Sequence, residues 1–165
     1  MKRPMSLLVA AGIATAAFSP VHAEETMTVS VQRLSLDTAR QIAEGAVRAC
    51  REKGIQVAVT VVDRNGIPQA TLRDTLAPPM TLEVSRAKAY TAAMFNAPTS
   101  QLVEQASTPI GRVPGVVMSA GGIPIQAGGA LLGGVGVSGA PSGETDEECA
   151  RAGIEAVQDD LEMAG

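Results

Sequence analysis

The sequence predicts an α+β domain built on a mainly antiparallel β-sheet. Two hairpins are visible as pairs of apolar runs joined by turn residues, and helical periodicity follows each of them. Another helical pattern precedes the first hairpin, so the predicted order is helix, hairpin, helices, hairpin, helix. A hairpin pairs its strands antiparallel, and helices grouped around such strands are typical of α+β folds.

The first helix and the first hairpin have clear boundary residues. The helix is expected to begin after Ser35, whose hydroxyl makes a good N-cap, and to end at Gly54. Residues 55–62 are nearly continuous in β-branched side chains and predict a central strand. Asn65–Gly66 supplies a tight turn, and residues 67–73 are expected to return as the second strand.

Three further helical segments are predicted. Residues 81–95 are apolar over more than one face, so this helix is expected to be deeply buried or to lie at a subunit interface. Residues 99–106 should form one or two helical turns. The last helix is expected at 145–161, with Thr145 and Glu148 spaced as a capping box.

The second hairpin lies in a stretch, 121–143, that holds nine of the 17 glycines of the chain. Its turn is expected at 127–130, between two short apolar runs. Glycine weakens a strand, so we expect another segment or a ligand to approach this backbone closely. Residues 134–139 also match the dinucleotide fingerprint G-x-G-x-x-G, but no helix opens on them, and a strand with a tight turn is the better interpretation.

The first 23 residues have the pattern of a secretory signal, with a basic start, an apolar run and a small-residue site that predicts cleavage after Ala23. Residues 24–33 are expected to form an arm or an edge strand, and residues 34–165 one domain. No later stretch is long and apolar enough to span a membrane. We therefore expect a periplasmic or secreted protein.

Charge and composition exclude several classes of function. Cleavage after residue 23 would leave 11 basic and 17 acidic residues, a net charge of −6, which argues against nucleic acid and anionic membrane as partners. The sole histidine, His22, would leave with the signal, which excludes catalytic triads and histidine-ligated metal sites. No catalytic base or activated nucleophile is evident, so we do not predict a side-chain-based enzyme.

The two cysteines lie at ends of predicted helices that could meet. Cys50 is near the end of the first helix and Cys149 near the start of the last, as two antiparallel neighbours would place them. Exported proteins meet oxidising conditions, and two cysteines allow one disulfide. The alternative is a pair of separate buried thiols.

Four segments in order carry a resemblance to a known family. They read VAVTVVDRNG at 57–66, RAKAYTAA at 86–93, AGGIPI at 120–125 and GGVGVSG at 133–139. Together they resemble the GlcG/HbpS family, and the similarity covers about residues 34–161. The resemblance implies a profilin-like α–β–α fold that assembles into dimers or larger rings. It also implies haem as a ligand, since some members bind haem, while others have no settled activity.

A haem ligand would need an iron ligand and partners for its propionates. With His22 removed by cleavage, Tyr90 or Thr91 could offer oxygen to iron, with Met94 nearby, while Lys88 and Arg112 face the propionates. The alternatives are structural: Tyr90 packs in the core, Thr91 makes an interhelical contact, and Lys88 forms an ion pair.

Two further groups of residues have both a binding and a structural interpretation. Gly121 and Gly122 could present backbone N–H groups to an anionic ligand, or they could form a tight turn into a strand. Glu144 and Glu147 belong to an acidic cluster that could bind a metal weakly, or they could simply favour the dipole of a helix N-terminus.

Three functions follow from these observations. The first is an exported, oligomeric protein that binds haem or a similar tetrapyrrole. The second is an accessory protein or enzyme that acts on a small organic acid or aldehyde through Lys88 and Arg112. The third is a structural or interaction subunit of a periplasmic oxidation system.

Overall fold

A computed structural model describes residues 27–164 of the chain, so the predicted signal segment lies outside the described residues. Residues 31–164 belong to one compact unit with a single sheet. Residues 27–33 form no strand, so of the two alternatives predicted for 24–33, an arm or an edge strand, the arm describes this part of the segment. Within 27–164, no helix is long and apolar enough to cross a membrane.

The sheet has four strands that pair in two hairpins. They are β1 (Ala58–Asp63), β2 (Pro68–Arg73), β3 (Gly122–Ala127) and β4 (Ala130–Ser138). The order across the sheet is β2–β1–β4–β3, and every neighbouring pair is antiparallel. Both predicted hairpins and the α+β class are confirmed.

Helices lie on both faces of this sheet. They are α1 (Leu36–Glu52), α2 (Met80–Phe95), α3 (Gly143–Glu155) and α4 (Gln158–Ala164), with two 3-10 helices at Thr99–Ser107 and Pro109–Arg112. Helices α1 and α3 pack against each other and against one face, while α2 covers the other face, with the first 3-10 helix beside it at β3. The α–β–α arrangement that the resemblance implied is therefore confirmed.

The last helix differs from its prediction at both ends. Its N-cap is Ser142, whose hydroxyl accepts a hydrogen bond from the Thr145 amide at 3.2 Å, so a capping box at Thr145 is wrong. The helix also does not continue to residue 161. The amide of Val157 donates to the carbonyl of Ile154, three residues back, and this tighter turn separates α3 from α4.

The face of the sheet under α1 and α3, called here the aliphatic face, is packed by branched side chains. Val59 and Val61 of β1 and Val135 and Val137 of β4 are buried in one cluster with Ile42 of α1. A disulfide between Cys50 and Cys149 joins α1 to α3, with Cα atoms 5.5 Å apart. The predicted disulfide is thus confirmed, and it lies inside the main core.

The opposite face, called here the glycine face, is packed by backbone. A Cβ atom added to Gly134 would lie 2.5 Å from the carbonyl oxygen of Ala89, and one added to Gly136 would lie 2.1 Å from that of Ser85. Glycine therefore lets α2 rest directly on β4. The expected close approach is made by a helix, and the G-x-G-x-x-G segment runs along a strand, as predicted.

Candidate functional site

The outer face of α2 carries a row of three side chains that the sheet does not bury. Arg86, Tyr90 and Met94 are spaced four residues apart, so they lie on one side of the helix. The positions between them are mostly buried against the sheet. Arg86 and Met94 are exposed and Tyr90 is half-buried. This row combines a cation, a phenol and a thioether on one surface.

Tyr90 is held in place by the turn between β1 and β2. A Cβ atom on Gly66 would lie 2.5 Å from Cδ2 and 2.8 Å from Cε2 of the Tyr90 ring, and 3.4 Å from Cε of Met94. Gly66 also has a positive φ of 79°, which glycine adopts without strain. The Asn65–Gly66 turn thus forms the surface against which the aromatic ring packs.

A hollow of about 360 Å³ opens beside this ring. It is lined by Arg86 and Tyr90 from α2 and by Pro114 and Gly115 from the loop that follows the second 3-10 helix. We call it the Tyr90 hollow. It offers a phenol and a guanidinium one helical turn apart, beside the apolar ring of a proline.

Lys88 lies inside the protein rather than in this hollow. Its Nζ donates to Oδ2 of Asp146 at 2.9 Å and to the carbonyl oxygen of Val137 at 3.1 Å. Lys88 is 4% exposed and Asp146 3%. Burial raises the pKa of Asp146, and the bond from Lys88 acts in the opposite direction. The ammonium group of Lys88 is therefore already engaged in a buried ion pair.

Gly121 and Gly122 pack against the same lysine. A Cβ on Gly121 would lie 2.6 Å from Lys88 Nζ, and one on Gly122 would lie 2.5 Å from the Lys88 carbonyl oxygen. The amide of Gly122 donates to the hydroxyl of Thr99 at 2.8 Å. Both glycines are buried, so they line the ion pair from within rather than an outer surface.

The hydroxyl of Thr91 also has internal partners. It donates to the carbonyl of Ala87 at 2.8 Å and accepts a bond from the amide of Val117 at 2.9 Å. This side chain is fully buried and ties α2 to the segment that leads into β3. Arg112, by contrast, is exposed at the end of the second 3-10 helix.

The acidic residues at the start of α3 have structural partners as well. The pKa of Glu144 is lowered by a hydrogen bond from its own backbone amide and by one from Ser142. Glu147 pairs with Arg151 at 3.3 Å. Within residues 27–164, no group of three His, Cys, Asp or Glu side chains is arranged to hold a metal ion.

The structure thus separates the predicted site residues into two groups. Tyr90 and Met94 share the outer face of α2, whereas Lys88, Thr91 and the glycine pair at 121–122 lie within the fold. Arg86 lines the hollow and was missed as a site residue. Its signal in the sequence was the four-residue spacing to Tyr90, which places both side chains on one side of a helix.

Comparison with known proteins connects this fold to a family. The family model described as "Haem degrading protein HbpS-like" matches residues 34–155. The crystal structure of a double Glu-to-Asp mutant of HbpS from Streptomyces reticuli is 40% identical with a TM-score of 0.76, covering 86% of this chain and 99% of that one. The crystal structure of a complex of PduOC with haem is 28% identical with a TM-score of 0.70, covering 76% of this chain and 95% of that one.

A curated relative is similar over a shorter share of its own length. The corrinoid adenosyltransferase PduO of Salmonella typhimurium is 32% identical over 149 residues, which are 86% of this chain and 43% of the relative. The chain therefore spans less than half of that protein. The matched family model and the shared fold give one conclusion: the chain belongs to the HbpS-like family.

Proposed function

We propose that the chain is an exported haem-binding protein whose haem lies in the Tyr90 hollow. Family membership supports haem as the ligand, and so does the 28% identical PduOC structure, which is a haem complex. The observation that carries the choice of site is the position of Tyr90. Its ring is fixed against Gly66, and Arg86 lies one turn away in the same hollow.

The residues of the hollow fit what a haem requires. Iron in haem proteins accepts the oxygen of a tyrosine, and the propionates need cations that can donate hydrogen bonds. Tyr90 offers the phenol, Arg86 the guanidinium, and Pro114 an apolar contact for the ring. When bound, haem would supply iron-based redox chemistry, while these side chains hold and orient it.

Arg86 replaces Lys88 as the proposed partner of the propionates. The Lys88 ammonium is 4% exposed and bonded to Asp146, so presenting it to a ligand would leave a buried carboxylate without its cation. Arg86 is exposed, and its planar guanidinium can bond a carboxylate through two N–H groups. The same burial of Lys88 argues against the second function, which needs its amine at a surface with Arg112.

The Tyr90 hollow is open to one side, so a bound haem would remain partly exposed in a single copy of the chain. Four residues line the hollow, and a flat tetrapyrrole would extend beyond them. A second copy of the chain would cover the exposed part, so we include a homo-oligomer in the proposal. The lining of the hollow, as the structure describes it, holds groups that bind and orient a ligand but no carboxylate or imidazole to act as a base. We therefore propose sequestration or redox sensing rather than catalysis by protein groups, in the periplasm or outside the cell.

Haem titration of the protein spanning residues 24–165 tests the proposal. We expect a saturable change in the Soret band. Tyr90→Phe keeps the ring on Gly66 but should alter the spectrum, and Arg86→Gln should weaken binding about tenfold, as loss of a charge-assisted hydrogen bond does.

Arg151→Gln is the control for Arg86→Gln, because it removes another exposed arginine, on α3, that does not line the Tyr90 hollow, and it should leave haem binding unchanged. A Soret band that does not saturate would overturn the haem proposal. An unchanged spectrum in Tyr90→Phe would remove Tyr90 as the iron ligand.

A further inference from the structure

A second hollow lies at the other side of the molecule, between α1 and the edge strand β2. It has a volume of about 380 Å³, in the range of pockets that hold small ligands. Three arginines line it, Arg48 and Arg51 from α1 and Arg73 from β2. Val47 and Leu72 form its apolar floor, and Leu72 packs on the core of the aliphatic face. We call it the arginine hollow.

The two acidic residues in its lining already have cations. Asp74 accepts two bonds from Arg51, from Nε at 2.7 Å and from Nη2 at 2.8 Å, and this lowers the pKa of Asp74. Glu44 accepts a bond from Arg40 at 2.7 Å. Each carboxylate in the lining is thus neutralised by one guanidinium.

Two cations remain without a matching carboxylate. Seven salt bridges join residues within 27–164, and neither Arg48 nor Arg73 takes part in any of them. Nη1 of Arg73 donates to the carbonyl oxygens of Ala77 and Thr75, which fixes the guanidinium and leaves Nε and Nη2 for a ligand. Arg48 is exposed on α1. The hollow is therefore a local positive site on a chain of net charge −4.

We propose that the arginine hollow binds a monocarboxylate that carries a short apolar tail. The carboxylate lies between the Arg48 and Arg73 guanidiniums, which can both donate hydrogen bonds to its oxygens. The tail covers Val47 and Leu72, which provide the apolar contact that a small hydrophilic anion does not use. This site is independent of the Tyr90 hollow, because α1 and α2 lie on opposite faces of the sheet.

The charges of the hollow select this ligand class over other anions. The lining carries three positive and two negative side chains, so its net charge of +1 is balanced by a single carboxylate, whereas a polyanion would meet the net negative charge of the rest of the chain. Inorganic phosphate would satisfy the arginines but leave the floor of Val47 and Leu72 in contact with water. The apolar floor therefore distinguishes a tailed carboxylate from phosphate.

An NMR titration of the protein spanning residues 24–165 tests this site with octanoate, acetate and inorganic phosphate as the probes. We expect saturable shifts of the Val47 and Leu72 amides with octanoate, at an affinity at least tenfold above that for acetate or phosphate, because the tail buries apolar surface. Arg48→Gln should weaken octanoate binding about tenfold. Arg151→Gln, which removes an exposed arginine on α3 that does not line the arginine hollow, should leave octanoate binding unchanged.

Several results would overturn the proposal. They are octanoate shifts that do not saturate or lie elsewhere, equal affinity for acetate and octanoate, tighter binding of phosphate, and unchanged octanoate binding in Arg48→Gln. Arg48 is exposed, so its variant should fold, and circular dichroism checks this. The haem titration is run separately on the same protein, so failure of either site is seen independently of the other.

Discussion

The two faces of the sheet are held to their helices by different means. On the aliphatic face, branched side chains from β1 and β4 fill the space beneath α1 and α3, and a disulfide joins the two helices. On the glycine face, α2 lies so close to β4 that glycine is needed at residues 134 and 136. One face therefore depends on side-chain volume and a covalent link, and the other on the absence of side chains.

The polar groups on the two sides of the sheet also differ in how deeply they are buried. The glycine face buries a hydrogen bond of 3.0 Å between the hydroxyls of Thr60 and Ser85. The buried Lys88–Asp146 ion pair joins the middle of α2 to the first turn of α3. The Arg51–Asp74 pair of the aliphatic side lies at the rim, with Arg51 exposed. A helix that approaches a sheet this closely leaves little room for large apolar groups, so small and polar residues occupy the interface.

Removing the disulfide should have the largest effect on stability. Its loop spans 99 residues, for which the chain-entropy model gives about 4.7 kcal/mol of stabilisation. We expect Cys50→Ala with Cys149→Ala to lower the free energy of unfolding by about 4 kcal/mol in urea titrations. Reduction of the unmutated protein should reproduce the loss. A loss below about 1 kcal/mol would show that the aliphatic face does not depend on the link.

Adding one methyl group to the glycine face should have the next largest effect. In Gly136→Ala the new Cβ meets the Ser85 carbonyl oxygen at 2.1 Å, and a backbone carbonyl cannot rotate away as a side chain can. We expect a loss of about 3 kcal/mol, at the upper end of overpacking costs.

Gly129→Ala is the control for that variant. Gly129 has no atom within 4 Å of its added Cβ, but its φ is 77°, so the expected cost is the left-handed strain of about 1–2 kcal/mol. Urea unfolding of both variants measures the difference. Equal losses would contradict the close packing of α2 on β4.

The two buried aspartates should give opposite and smaller effects of pH on stability. The bonds from Arg51 lower the pKa of Asp74, so its contribution is present above the unfolded pKa of about 3.9 and is lost as the pH falls through the folded value. Burial raises the pKa of Asp146, so its contribution declines as the pH rises from about 3.9 through its folded pKa.

Substitution by asparagine separates these two contributions. Asp74→Asn should reduce the loss of stability as the pH falls. Asp146→Asn should remove the loss of stability that Asp146 causes as the pH rises. Thermal unfolding between about pH 3 and pH 6 measures both slopes. The same sign of change in both variants would show that the two carboxylates do not differ in environment.

Local signals in the sequence were sufficient for most of the fold. Several boundaries are each determined by one or two residues and are found as predicted. They are the N-cap at Ser35, the helix end at Gly54, and the turns at 65–66 and 128–129. The cysteine pair was predictable because Cys50 lies near the end of α1 and Cys149 lies in the second turn of α3. The start of α3 was misplaced because Ser142 and Thr145 are both good caps, and only the surrounding chain decides between them.

The candidate site was harder to predict than the fold, because it depends on contacts between residues that are far apart in the sequence. Lys88 and Asp146 are 58 residues apart, and no local pattern indicates that they meet. The Tyr90 hollow forms because the loop at 114–115 lies beside α2. That loop has no helical or strand pattern from which its position could be predicted. The sequence therefore names Tyr90 as a candidate, and its four-residue spacing to Arg86 could have indicated that neighbour, but the ion pair that buries Lys88 was not predictable.

Three glycines of β4 limit which substitutions the protein can tolerate. A Cβ atom at Gly133, Gly134 or Gly136 would lie 2.2, 2.5 or 2.1 Å from a backbone carbonyl oxygen. Every missense change at these positions adds at least that atom, so none is conservative. A mutational scan should show them as a tract of uniform intolerance, caused by the fold alone and present whether or not the protein holds any ligand.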